Sequence, residues 1–337
     1  MSVSVPTLSI VIPVYNEPDW IGRCVADIAT AVRNSAFSGN AELVIVDDGS
    51  DQQTKDALAA LSPGMSMRVL TQENRGRFAA RQSGIKAATG DLVLLLDSRV
   101  TVAPDALEFV ASRLDGGPLP VWNGHVEIDV KGNPFARFWR TVTYAAWRDY
   151  LANPRTTSFG IEEYDRYPKG TTCFIAPRTA LMRAMDEFDS MYADTRFSND
   201  DTVLIRPIAA EQPINISPGF ACRYRSRDSL RSFVKHAFHR GTVFLDAYGR
   251  PGTRFFPVVA AFFPASLAFL LLASKHPTWA VGIAACGPVA AAAGASALRR
   301  PRADVLAVSA LTIPFGVAYS AGIWRGGLLA AREWMKR

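Results

Sequence analysis

Along the first 115 residues, short unbroken apolar runs alternate with stretches of helical spacing. Leu8 to Val14, Glu42 to Asp47, Met67 to Leu70 and Asp91 to Asp97 are apolar and rich in branched residues, and they predict strands. Between them, Trp20 to Val32, Gln52 to Leu61 and Gly76 to Ala88 place apolar residues three and four apart, which predicts helices. Strands that are apolar on both faces, separated by helices, make a parallel sheet covered on both sides. Such an open α/β sheet binds ligands beyond the carboxyl ends of its strands. The polar residues gather there: Tyr15-Asn16-Glu17, Asp47-Asp48 and Asp97 each follow directly on a strand.

Residues 116–220 are less regular, with one clear strand expected at Thr171 to Ala176. From residue 255 the texture changes. Phe255–Ser274, Pro277–Leu298 and Val305–Trp324 carry no charge over 20, 22 and 20 residues, and a bilayer takes about 20 to cross. The other reading is helices buried in a large soluble core. Three such segments in succession, parted only by Lys275-His276 and Arg299-Arg300-Pro301-Arg302, favour the membrane. Phe135 to Tyr150 is aromatic-rich and amphipathic; it suits a core helix, or one lying in the membrane interface. The expected division is an α/β domain over 1–220, a basic juxtamembrane segment over 221–254 and a membrane domain of about three hydrophobic helices over 255–337.

Charge sharpens this division. The net charge of +6 hides −6 over residues 1–220, with +6 in each of 221–254 and 255–337. A basic collar beside apolar segments suits an anionic membrane surface rather than nucleic acid. Cys24, Cys173, Cys222 and Cys286 are scattered, form no C-x-x-C pair, and read as ordinary buried thiols in a reducing compartment. Met1 to Thr7 lacks the basic start of a signal peptide, so the first domain is expected in the cytoplasm of a multi-pass inner-membrane protein.

Four motifs then occur in order: Ser9-Ile10-Val11-Ile12-Pro13-Val14-Tyr15-Asn16-Glu17, Glu42 through Asp47-Asp48-Gly49-Ser50, Asn74-Arg75-Gly76-Arg77-Phe78-Ala79-Ala80-Arg81, and Gly90-Asp91 to Asp97. Together they resemble the donor-binding half of the family-2, inverting glycosyltransferases, which have the GT-A fold. The resemblance implies a nucleotide-sugar site built from Pro13, Tyr15, Asn16, Glu17, Asp48, Arg77, Arg81, Asp97 and Arg99. Asp48 would accept the ring N–H of the base. Arg77 and Arg81, one turn apart, would face the diphosphate, or else form a solvated surface pair. The family's acidic motif is Asp-x-Asp, whereas this chain reads Asp97-Ser98-Arg99. Either Asp97 and the diphosphate hold Mg²⁺ or Mn²⁺, or Arg99 partly replaces the metal.

Further on, Phe197-Ser198-Asn199-Asp200-Asp201 is similar to the family's Asn-Glu-Asp segment and implies Asp201 as general base, with Asp200 beside it toward the acceptor. Asn199 or Asp200 ahead of an apolar stretch is also what a helix cap looks like. Tyr224 to Gly241 resembles the matching stretch of succinoglycan-type bacterial membrane glycosyltransferases, which also continue into transmembrane helices. His236 and His239 stand where those enzymes have Gln-x-x-Arg; with Arg240 they are expected at the acceptor or diphosphate, or in the basic collar.

The resemblance thus implies an inverting transfer from a nucleotide-sugar to a hydroxyl of a lipid-linked or cell-surface glycan. Two alternatives are a polyprenyl-phosphate glycosyltransferase, whose ionised acceptor needs no base, and an inactive glycan-assembly subunit.

Overall fold

The computed structural model describes residues 5–253 and 255–336, with the side chains of residues 200 and 202 outside the described set. The chain packs as two compact units, Met1–Glu127 with Trp147–Asp189 and Asp200–Arg225, and Ile128–Ala146 with Ser190–Asn199 and Ser226–Arg337.

The first unit opens with the expected alternation: β1 (Leu8–Val14), α1 (Pro18–Arg33), β2 (Ala41–Asp47), α2 (Gln52–Ala59), β3 (Ser66–Thr71), α3 (Arg77–Ala87) and β4 (Leu92–Leu96). β1 pairs in parallel with β2 and β4, and β2 with β3. Every residue of β1 and β4 is buried, as strands covered on both faces require. α1 turns Ile21, Val25, Ile28 and Val32 inward onto one core. Burying each such side chain contributes about 1.5–3 kcal/mol.

After β4 come β5 (Val100–Val102), α4 (Ala106–Ala111), β6 (Val121–Asp129), α5 (Pro134–Ala146), α6 (Arg148–Leu151), β7 (Thr157–Phe159), β8 (Cys173–Pro177), α7 (Arg178–Asp186), α8 (Asp200–Glu211) and β9 (Ile214–Arg225). The strand order is β3-β2-β1-β4-β8-β6-β9-β5, with β7 pairing β9. β8 runs antiparallel to β4, and β5 and β7 antiparallel to β9. The result is an α/β sheet of GT-A type: parallel where strands alternate with helices, antiparallel where the chain returns. Gly84 fixes where α3 lies on it. A Cβ there would sit 2.3 Å from Val11 Cγ1, so only glycine lets α3 come this close to β1 and set Arg81 at the strand ends.

The second unit holds α5, then α9 (Leu230–Tyr248), α10 (Phe256–Lys275), α11 (Pro277–Ala297) and α12 (Arg302–Met335). α10, α11 and α12 are long and apolar enough to cross a membrane. Leu270, Leu271, Trp279 and Val281 are exposed on α10 and α11, and large apolar side chains facing outward in such density suit lipid rather than water. Cys286, expected buried, is exposed on α11, whereas Cys24, Cys173 and Cys222 are buried. α12 runs 34 residues straight through Pro314 and Gly316, well beyond the uncharged stretch that predicted it. The aromatic stretch of α5 packs inward: Phe138 is buried against Phe233, Val308 and Leu311.

Candidate functional site

Three chain segments meet at the carboxyl ends of β4 and β1. Asp97 directly follows β4, Arg81 comes from the second turn of α3, and Asp201 lies in the first turn of α8. Arg81 Nη2 donates to Asp97 Oδ1 at 2.7 Å, and its side chain is 1% exposed. Its charge also acts on Asp201. One buried guanidinium therefore serves two carboxylates from distant parts of the chain.

The segment entering β8 holds both acids. Thr171 donates to Asp201 Oδ1 from its backbone N–H at 2.9 Å and through its hydroxyl. The next residue, Thr172, accepts from the Asp97 N–H through its carbonyl oxygen at 3.0 Å. Burial pushes the Asp201 carboxyl up, but the Arg81 charge, the Thr171 bonds and Arg77 outweigh it and hold the group below the usual carboxylate range. Asp201 is therefore ionised at neutral pH and able to accept a proton. These bonds run to Thr171, outside its own helix, so the side chain is not spent as a cap.

Asp48 is buried and organises the turn before α3. Its Oδ1 accepts from Gln72 Nε2 at 2.7 Å and Arg75 N at 2.9 Å, and its Oδ2 from Gly76 N at 2.8 Å. A carboxylate offers about four lone-pair positions, so about one remains beyond these three. Pro13 is buried at the end of β1, Tyr15 is 51% exposed, and Asn16 adopts φ 53° while its Oδ1 accepts from Asp51 N at 2.8 Å. Arg77 and Arg81 part company: Arg77 is exposed while Arg81 is buried. The uniform surface pair allowed by the sequence is not what forms.

Arg99 takes a partner that the sequence reading missed. Its Nε donates to Glu17 Oε1 at 2.8 Å, and its guanidinium lies 5.6 Å from the centre of the Trp20 ring. Arg225 approaches the same ring at 5.2 Å.

In the second unit, His236 packs on the Trp139 ring at 5.3 Å and Arg240, one helical turn on, lies 5.1 Å from that ring's centre. His239 is half-buried on the same helix. Asp246 of α9 accepts from Met191 N, Asn199 N and Ser190 Oγ at 2.6, 2.7 and 3.0 Å. It thereby secures the segment that leads into Asp200, whose own side chain lies outside the described residues. Burial raises the Asp246 carboxyl above its ordinary range despite these bonds.

Among the described residues no group of three or more His, Cys, Asp or Glu side chains could hold a metal ion. Asp97 supplies one carboxylate, with one oxygen already on Arg81. That donor set fits a hard cation held mainly by phosphate oxygens and water, not a cage made by the protein.

Comparison with known proteins places these features in a family. The model for glycosyl transferase family 2 matches residues 9–187. Glycosyltransferase AglE of Haloferax volcanii is 30% identical over 130 residues, 38% of this chain and 41% of that protein. Succinoglycan biosynthesis protein ExoO of Rhizobium meliloti is 35% identical over 111 residues, 33% of this chain and 30% of that protein. The chain thus matches less than half the length of these relatives. Among solved structures, a mannosyltransferase from Pyrobaculum calidifontis in complex with GDP-Man and Mn²⁺ superposes with a TM-score of 0.49 and 19% identity, covering 98% of this chain and 88% of that one.

Proposed function

From the premise that this chain belongs to glycosyl transferase family 2, we propose that it is a membrane-bound inverting transferase. It moves a hexosyl or pentosyl unit from a nucleotide-sugar to a hydroxyl of a lipid-linked or polysaccharide acceptor. The observation that carries this reading is the placing of two carboxylates, Asp97 and the ionised Asp201, around the buried cation Arg81 at the strand ends.

In this reading Asp201 takes the proton from the acceptor hydroxyl as its oxygen attacks the anomeric carbon. The bond from that carbon to the donor phosphate breaks, and its electron pair leaves with the nucleoside diphosphate. Exposed Arg77 and the N-terminal end of α3 offset the charge that builds on this leaving group. Asp48 and the Gln72–Gly76 turn receive the base, and Tyr15, Asn16 and the Glu17–Arg99 pair flank the donor. Mg²⁺ or Mn²⁺, bound through Asp97 and the donor's own diphosphate, would supply further charge neutralisation. Arg81 holds Asp97 in place by a direct bond and keeps Asp201 ionised through its charge. His236, His239 and Arg240 serve the acceptor side, and the catalytic domain lies on the cytoplasmic face of the inner membrane.

The test is turnover of nucleotide-sugars by the purified full chain, with nucleotide diphosphate binding measured in parallel. Asp201→Asn should lower turnover ~10²–10⁴-fold, the usual share of a general base, while leaving nucleotide binding intact. Near-normal turnover in that variant would remove Asp201 from the mechanism. Nucleotide binding without any turnover in the native chain would favour an inactive assembly subunit.

A further inference from the structure

Asp304, in the first turn of α12, is completely buried and surrounded by arginines. Arg140 of α5 grips it in a fork, with Nη2 2.6 Å from both carboxylate oxygens and Nε 3.2 Å from Oδ2. Arg137, on the same helix, donates from Nη1 to Oδ1 at 3.1 Å. Arg300, from the link between α11 and α12, donates from Nη2 to Oδ2 at 3.1 Å. All four residues belong to the second unit.

The charges do not balance. Three guanidiniums share one carboxylate, and among the described residues no other acid is ion-paired with any of them. Two positive charges are left over in a place with limited water, since the Arg137, Arg140 and Arg300 side chains are only 28%, 29% and 14% exposed. Arg300 Nε is buried with no hydrogen-bond partner among the described residues. The N-cap of α12 is Pro301, which makes no side-chain cap bond, so the positive end of that helix dipole adds to the same spot. If the cluster served only to pin α5 to α12, one arginine per carboxylate would do it, and the surplus would cost repulsion.

We propose that this cluster is a binding site for a phosphate group borne on a lipid. A phosphate carries up to two negative charges and matches guanidinium forks in a bidentate manner, which fits the surplus of two. The cluster lies where α11 ends and α12 begins, at the end of two helices long and apolar enough to span a bilayer. On the helix that carries Arg137 and Arg140, half-buried Trp139 packs edge-on against half-buried Phe315 of α12, and this pair offers apolar cover for the chain attached to such a phosphate. The site differs from the donor site, whose residues all lie in the first unit. It rests on the membrane setting proposed above but not on the transfer chemistry, so its test reads lipid binding rather than turnover.

The full chain is placed in phosphatidylcholine nanodiscs carrying either a polyprenyl diphosphate or phosphatidylglycerol, and lipid retention is measured by native mass spectrometry. Arg137→Gln and Arg300→Gln each leave the Arg140 fork on Asp304 and should weaken retention of at least one of these lipids about tenfold, the effect of losing one charge-assisted hydrogen bond. A response to the polyprenyl diphosphate alone identifies the acceptor lipid as the source of the phosphate. A response to phosphatidylglycerol identifies the bulk membrane. Asp304→Asn removes the counter-charge that the described residues supply and should hold lipid at least as well as the native chain. Arg137→Lys, which keeps the charge, guards against a folding defect and should fall between the native chain and Arg137→Gln. Lower thermal stability in the glutamine variants with unchanged retention of both lipids would overturn the proposal and leave a purely structural clamp.

Discussion

Arg99 donates to Glu17 across 82 residues of sequence, closing the loop after β1 against the loop after β4. Both side chains are largely withdrawn from water, at 16% and 7% exposure. The cation that stands where the family motif has its second carboxylate is therefore neutralised locally.

Breaking this pair from one side should cost more than removing it whole. Arg99→Ala takes a charge-assisted partner from a buried carboxylate and should destabilise the first unit by about 1–3 kcal/mol. Arg99→Ala combined with Glu17→Gln should recover most of that loss. Thermal unfolding of the two variants checks the coupling, and additive losses would show that the pair is not cooperative.

Metal response should depend on Asp97. If a divalent ion binds through Asp97 and the donor diphosphate, Mg²⁺ or Mn²⁺ will raise nucleotide diphosphate affinity in the native chain and not in Asp97→Asn. Asp48→Ala should weaken nucleotide binding with or without metal, because it releases the Gln72–Gly76 turn. Equal metal enhancement in the native chain and Asp97→Asn would discount Asp97 as a ligand.

The pH dependence has a definite sign. Burial alone would raise Asp201, but Arg81 and the Thr171 bonds lower it in the folded protein. Activity should persist below the ordinary aspartate value of about 3.9 for as long as the chain stays folded. A group with a lowered folded pKa stabilises the protein above its unfolded pKa, and that contribution is lost as pH falls through the folded value. Thr171→Val removes the hydroxyl bond, so its acid limb should move to higher pH. An unmoved limb would mean that another group titrates there.

How much of this was legible in the sequence follows from the range of the interactions. The strands β1, β2 and β4 were readable because burial on both faces leaves continuous apolar runs, and the ligand edge followed from the polar residues after them; β3, at the sheet edge, has no buried residue and is not covered as its apolar run predicts. The pairing of Arg99 with Glu17 was not readable, since contacts 82 residues apart leave no local period. Nor could spacing tell Arg77 from Arg81: they look alike at i and i+4, and only the approach of α3 to β1 at Gly84 buries one and exposes the other. Thr171 and Asp246 carry no motif, yet they secure Asp201 and the segment before Asp200. The three-residue strands β5 and β7 are too short for any pattern to show.

α9 and α12 meet backbone to backbone. A Cβ on Gly322 would lie 2.0 Å from the Phe238 carbonyl oxygen, and one on Gly241 2.1 Å from that of Tyr319. No rotamer change relieves a clash with backbone. Gly322→Ala should therefore separate the helices at a cost of about 1–3 kcal/mol. Gly316→Ala, on the same helix with nothing within 4 Å, should be neutral or slightly stabilising. Equal unfolding temperatures for these two variants would deny the close contact its importance.

The course of α12 through the membrane gives the last prediction. On the proposed cytoplasmic placement of the residues before α10, α10 leads out and α11 returns, which would place Arg299, Arg300 and Arg302 inside as the positive-inside rule favours. A third crossing then puts Arg325, Arg332 and Lys336 outside, against that rule. A hairpin broken at Pro314 and Gly316 would avoid this, but α12 passes through both as one unbroken helix. Breaking it would also release backbone groups that lipid cannot satisfy. The few basic residues after Trp324 are a weak topological signal by comparison, so crossing is expected. A cysteine at position 336, in a Cys286→Ser background that removes the exposed thiol, should react with an impermeant reagent in intact cells. Protection until lysis would place the tail inside and rule out a third crossing.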